Sequence, residues 1–175
     1  MKTKFCRVFC LIALSGVLVS GMAQAMGDDD SKPPTCPKGQ IYDKKAKSCV
    51  ADKTGMINDN DRTDYAYALA KAGRYDEALQ MLDRLQQPNT AKAWNYRGYA
   101  TRKLGRTDEG IGYYQKSIAL DPRYAQVREY LGEAYMVKQQ PSKAREQLTI
   151  IKSICGTGCE EYRDLSDAIN GHPES

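Results

Sequence analysis

Residues 88–122 read PNTAKAWNYRGYATRKLGRTDEGIGYYQKSIALDP, and the next stretch repeats these landmarks one step of 34 residues later. Pro88 recurs as Pro122, Gly98 as Gly132, and Gly110 is echoed by Ala144. A fixed period of this length marks stacked helical hairpins. Each hairpin leaves an apolar face that only a neighbour can cover, so the expected product is an array bearing a groove. Such an architecture favours binding over catalysis.

Working outward, apolar residues at spacings of three and four divide the chain into helix pairs. The first pair spans 61–73 and 75–86, with Ala78, Leu79, Leu82 and Leu85 on one face of the second helix. The second spans 91–104 and 107–120, stopped by Gly105 and then by Asp121-Pro122. The third spans 125–138 and 141–154, with Pro141 in a first turn, where a helix tolerates it. A last helix, 160–169, carries an apolar stripe of Tyr162, Leu165 and Ile169. The fold class is therefore all-α: three hairpins and a C-terminal capping helix, preceded by a short disulfide-stapled segment.

The first 25 residues read as a secretory signal peptide: Lys2, Lys4 and Arg7, an apolar run from Val8 to Val19, then Ala23-Gln24-Ala25. Cleavage after Ala25 makes the protein periplasmic or secreted, with no integral membrane segment afterwards; the apolar run is short for a span. The full chain holds 26 basic and 22 acidic residues, and the leader carries away three of the basic ones. The remaining chain is close to neutral, which argues against nucleic acid or an anionic membrane as partner. Residues 26–35 are acidic and nearly free of apolar side chains, a composition that reads as a disordered linker.

Of the six cysteines, Cys36, Cys49, Cys155 and Cys159 survive cleavage, and an even set in an exported chain implies disulfides. Four cysteines allow three pairings. The two local ones, Cys36–Cys49 and Cys155–Cys159, are expected. Residues 36–50 read as a loop stapled beside the first repeat, held mostly by its disulfide because Ile41 and Tyr42 are the only large apolar residues between the cysteines. Both phenylalanines leave with the leader, so aromatic packing falls to twelve tyrosines and one tryptophan.

The chain resembles the tetratricopeptide repeat (TPR) family. Trp94, Gly98, Gly105, Tyr114 and Pro122 carry the resemblance in the second repeat; Leu131-Gly132, Tyr135, Ala144 and Leu148 do so in the third; Tyr65-Ala66, Leu69, Gly73, Ala78 and Leu82 in the first. It covers residues 59–156, divided at about 59–90, 91–124 and 125–156, with the cap at 157–170 and a tail at 171–175. Arg97 and Thr101 stand where the family prefers Leu and Tyr, Gly110 replaces Ala, Gly112 adds a second helical glycine, and Gln139 replaces a turn glycine. The second helix of the first repeat is two residues short, since Gly73 to Gly105 is a step of 32 while Pro88 to Pro122 is 34. The layout CPxGxxxD…CV, three repeats, then ICGxGCEEY is also similar to small exported TPR proteins of Gram-negative bacteria.

The resemblance implies that the first helix of each hairpin lines a concave groove. The peptide-binding residues would then be Thr63, Tyr67 and Lys71; Asn95, Tyr99, Arg102 and Lys103; and Glu129, Glu133 and Met136. The second hairpin is basic there and the third acidic, a change of charge that would orient an extended peptide, with Arg102 suited to a carboxylate. Thr63 and Tyr67 occupy positions where one known TPR mode needs Lys and Asn, so no carboxylate clamp is expected. The expected partner is a protein or extended peptide, and the expected role a non-enzymatic adaptor or scaffold.

Two alternatives use the cysteine segments. Residues 36–50 faintly resemble part of small carbohydrate-binding modules, which would make peptidoglycan the partner, although Tyr42 is their one aromatic. Cys155 and Cys159 would suit thiol-disulfide chemistry, but Glu160 and Glu161 beside them raise a thiol pKa where activation requires lowering it. No metal site and no cofactor are expected: the sole histidine, His172, lies in the tail, and no phosphate loop, nucleophile elbow or apolar carboxylate pair occurs.

Overall fold

A computed structural model describes residues 34–53 and 57–171. The leader at 1–25, most of the acidic stretch at 26–35, and His172 in the tail lie outside the described residues. Seven helices form: α1 (Asp59–Lys71), α2 (Tyr75–Leu82), α3 (Ala91–Lys103), α4 (Thr107–Leu120), α5 (Ala125–Val137), α6 (Pro141–Cys155) and α7 (Glu160–Ile169). They pack as three antiparallel pairs, with α7 laid against both α5 and α6. The all-α expectation holds, with one addition. Residues 36–50 are not an irregular loop but carry a hairpin of two antiparallel strands, β1 (Gln40–Asp43) and β2 (Ser48–Ala51).

Each pair turns in the same way. Gly73 (φ 77°), Gly105 (φ 85°) and Gln139 (φ 57°) occupy the left-handed region immediately after a first helix. The two amides beyond each helix fold back onto its last turn: Gly73 N–H donates to the Ala70 carbonyl at 3.0 Å and Arg74 N–H to Leu69 at 2.9 Å. Gly105 and Arg106, then Gln139 and Gln140, repeat the arrangement. This is the Schellman closure that caps orphan carbonyls, and glycine is the residue it suits. Gln139 satisfies it at a steric disadvantage.

Packing in the second pair depends on missing side chains. A Cβ on Gly98 would lie 2.5 Å from the Tyr114 ring, and one on Gly110 would lie 3.0 Å from the Gly98 carbonyl. The two glycines thus let α3 and α4 touch backbone to backbone, and Gly110 substitutes for the family's alanine at the point of closest approach. Gly112 meets nothing within 4 Å. In the third pair Leu165 of α7, fully buried, covers Gly132, so the last helix seals the end of the apolar core. Thr101 is buried, whereas Arg97 is only half-buried; its guanidinium pairs with Asp83 at 2.7 Å.

The first repeat is closed differently. Helix α2 ends at Leu82, four residues before the expected Gln86, because the Asp59 carboxylate accepts from Gln86 N–H (3.0 Å) and Gln87 N–H (2.7 Å). Those amides are drawn out of any helical ladder, while Leu85 remains buried. The hairpin docks here. Ile41 is completely buried, the Cys36 amide donates to the Tyr65 hydroxyl at 2.7 Å, and Arg74 donates to the Cys36 carbonyl. Just past β2, the buried carboxylate of Asp52 pairs with the buried Arg62 of α1 at 2.6 Å and with Arg84 after α2. Cys36–Cys49 closes the hairpin and Cys155–Cys159 closes the loop before α7. The disulfide therefore shares the holding with a side-chain anchor and an ion-pair clamp.

Candidate functional site

Helices α1, α3, α5 and α7 are successive neighbours on one side of the array, and their facing residues form a continuous surface. Its middle is filled with phenol rings. Tyr67 of α1 stacks on Tyr96 of α3 at 4.3 Å between centroids and meets Tyr99 edge-on at 6.1 Å. Tyr99 leans on Tyr130 of α5 at 4.9 Å, and the Tyr67 and Tyr130 hydroxyls share a hydrogen bond of 2.8 Å. Offset and edge contacts of this kind add to simple burial. Burial first, then neighbouring tyrosines, push the Tyr99 hydroxyl up to about 12, so the cluster stays neutral at physiological pH.

The residues singled out from the sequence divide into two groups. Thr63, Asn95, Tyr99, Arg102 and Glu129 are buried; Tyr67, Glu133 and Met136 are half-buried; Lys71 and Lys103 are exposed. Arg102 is already engaged. It pairs with Glu133 across α3 and α5, and its Nε donates to the Tyr114 hydroxyl at 3.3 Å. Burial opposes its charge, and Tyr114 and Glu133 outweigh that, holding the pKa above the usual value. Arg102 is thus a tie between helices, not a free receptor for a carboxylate. The exposed cations are Lys71 and Lys103, whose ammonium groups lie 6.0 and 5.5 Å from the centre of the Tyr99 ring.

Three further residues belong to this surface: Asp64, Tyr96 and Tyr130. They follow Thr63, Asn95 and Glu129 by one position, and moving the same repeat steps along by one residue would have found them. Asp64 joins the hairpin to the second repeat through Lys44 (2.8 Å) and Lys92. Burial raises its pKa, and the two lysines more than reverse this. At that end of the surface lies a polar cleft of about 720 Å³ lined by Lys45, Asn58, Asn60, Gln86, Gln87 and Lys92 among others.

The opposite end is acidic. Glu129 is 6% exposed and has no hydrogen-bond or ion-pair partner among the described residues. Burial, followed by Glu133 and the α7 carboxylates Asp164, Glu161 and Glu160, pushes its pKa up to about 9. Asn95, its counterpart one repeat earlier, donates through Nδ2 to Tyr124 (3.2 Å) and Gln126 (3.0 Å), while its Oδ1 is buried with no partner. Among the described residues the one group able to supply three metal ligands is Cys155, Cys159 and Glu161. Its two sulfurs are bonded to each other, so neither is a thiolate.

A tetratricopeptide repeat model matches residues 63–125 and, in a second overlapping copy, 97–151, together just over half of the chain. The chain belongs to the tetratricopeptide repeat family. Its TPR fold is similar to that of MamA, with a TM-score of 0.54 and 22% identity over 65% of this chain and 68% of MamA. It is also similar to the Yersinia enterocolitica type III secretion chaperone SycD, solved in complex with a peptide of the translocator YopD (TM-score 0.53, 16% identity, 65% of this chain and 87% of SycD). A second SycD structure, an alternative dimer, gives 0.52 and 18% identity over 64% and 89%. At these identities the likeness is one of fold. No curated protein matches the chain.

Proposed function

We propose that this TPR protein is an exported adaptor that holds an extended segment of a protein partner against the face built by α1, α3, α5 and α7. The observation that carries the reading is the arrangement around Tyr99. Packed tyrosines make a rigid floor, and Lys71 and Lys103 stand exposed at its edge. A rigid floor spares a ligand the cost of ordering the site, and side chains left exposed remain available for contact. SycD, of similar fold, is seen with a bound peptide, which supports the same mode here.

The informative variant pair is Lys71→Glu with Lys103→Glu, since both are exposed and the buried Tyr99 and Arg102 cannot be altered without disturbing the fold. We expect peptides selected from a displayed random library on the unaltered protein to bind this variant at least about tenfold more weakly, with an unchanged melting temperature. Unchanged binding would reject this face. Export rests on the leader and on two disulfides suited to an oxidising compartment. N-terminal sequencing of protein recovered from a periplasmic fraction should begin at Met26. A chain still starting at Met1 would reject cleavage after Ala25.

A further inference from the structure

The acidic end of the surface holds a carboxyl that no protein group meets; its oxygens reach the surface, since the one fully buried side-chain atom without a partner among the described residues is Asn95 Oδ1. Glu129 is more than nine-tenths buried, yet no N–H or O–H donates to it and no cation pairs with it. Its neighbours are of its own sign: Glu133 one turn along α5, and Glu160, Glu161 and Asp164 on α7. Glu160 and Glu161 have a local rationale, because a helix N-terminus welcomes negative charge. Glu129, in the middle of α5, has none. Burying a carboxylate without a donor is costly, and the cost is relieved when a cation arrives. The second unmet group, Asn95 Oδ1, is also an acceptor, at the equivalent position of α3. Asn95 is fully buried, so of the two only Glu129 is open to a donor from outside.

We propose that the seam between α5 and α7 at Glu129 is a subsite for an arginine side chain of a basic segment in the protein partner. The inference rests on the groove reading above and adds the chemistry of what the groove accepts. Arginine fits better than lysine because its guanidinium is weakly hydrated, stays charged when desolvated and carries five N–H donors in a planar fork. Such a fork satisfies a carboxylate with two parallel bonds and keeps donors for further acceptors. Glu133 is already paired with Arg102, so the potential that draws it in comes from the carboxylates at the start of α7. In the free protein Glu129 sits with its pKa pushed up to about 9, hence largely protonated near neutrality, and the arriving guanidinium restores its charge. The exposed lysines at Tyr99 lie elsewhere on the same surface, so a bound segment would meet acid at one point and base at another.

The test uses the whole mature protein and a displayed random-peptide library. Peptides enriched on the unaltered protein should carry arginine, and replacing that arginine by citrulline, which keeps shape and removes charge, should weaken binding about tenfold or more. Glu129→Gln should produce a loss of similar size and make the citrulline exchange nearly silent. The citrulline exchange needs no variant of the protein, so the test stands even if Glu129→Gln folds poorly. Enriched peptides without arginine, or arginine peptides indifferent to both exchanges, would overturn the subsite while leaving the groove intact. A library from which nothing enriches rejects the groove reading itself. Calcium or zinc chloride that alone binds in a Glu129-dependent way and displaces the peptides would make the site a metal site and overturn the assignment to arginine.

Discussion

Glu129 is also where a single side chain sets how stability varies with pH. Its carboxyl ordinarily titrates near 4.5 and, buried beside Glu133 and the acids of α7, does so near 9. Between those values the folded chain holds a proton that the unfolded chain has released, so the contribution of this one group is most favourable below the lower value and declines as pH rises through the window. Urea denaturation should find Glu129→Gln more stable than the unaltered protein by on the order of 1–3 kcal/mol at about pH 8, with the difference vanishing near pH 4. The glycines give predictions of opposite sign. Gly98→Ala pushes a methyl into the buried Tyr114 ring and should cost about 1–3 kcal/mol. Gly112→Ala, with open space around it, should gain about 0.5–1 kcal/mol. Identity alone does not separate these two residues; only the distance to the facing helix does. The sequence likewise offered Arg102 as a free cation, since its ties to Glu133 and Tyr114 come from other helices.

At the scale of elements, the helices were readable because their information is local: apolar spacing, a glycine at the turn, a proline where a helix starts. Six of the seven lie within two residues of their expected bounds. The exception is the end of α2, governed by Asp59 reaching the Gln86 and Gln87 amides from the start of α1. The β-hairpin escaped for the same reason. Ile41 is one apolar residue in a polar stretch, and its burial is decided by a surface that the first repeat provides. Chemical denaturation should therefore show that Ile41→Ala costs about 2–4 kcal/mol, as for a core leucine or isoleucine elsewhere. Asp52→Asn should cost about 3–5 kcal/mol by leaving the buried Arg62 without its carboxylate. Neutral behaviour of both variants would mean that the hairpin is held by Cys36–Cys49 alone.

For the whole molecule, a repeat array ordinarily behaves as a row of units that each sense only their neighbours. The hydrogen bond between Tyr67 and Tyr130 departs from that rule, since it joins the first repeat to the third across the second. Tyr67→Phe keeps the ring and its stacking on Tyr96 while deleting the bond, and should lower stability by about 1 kcal/mol. Mechanically, the three hairpins form an arch and the phenol pair is its tie-rod. Arrays without such a tie flex like springs and fit partners by bending. Here curvature is held before any partner arrives, so a ligand needing a wider or tighter arc must first break the tie, and shape joins charge as a criterion for admission.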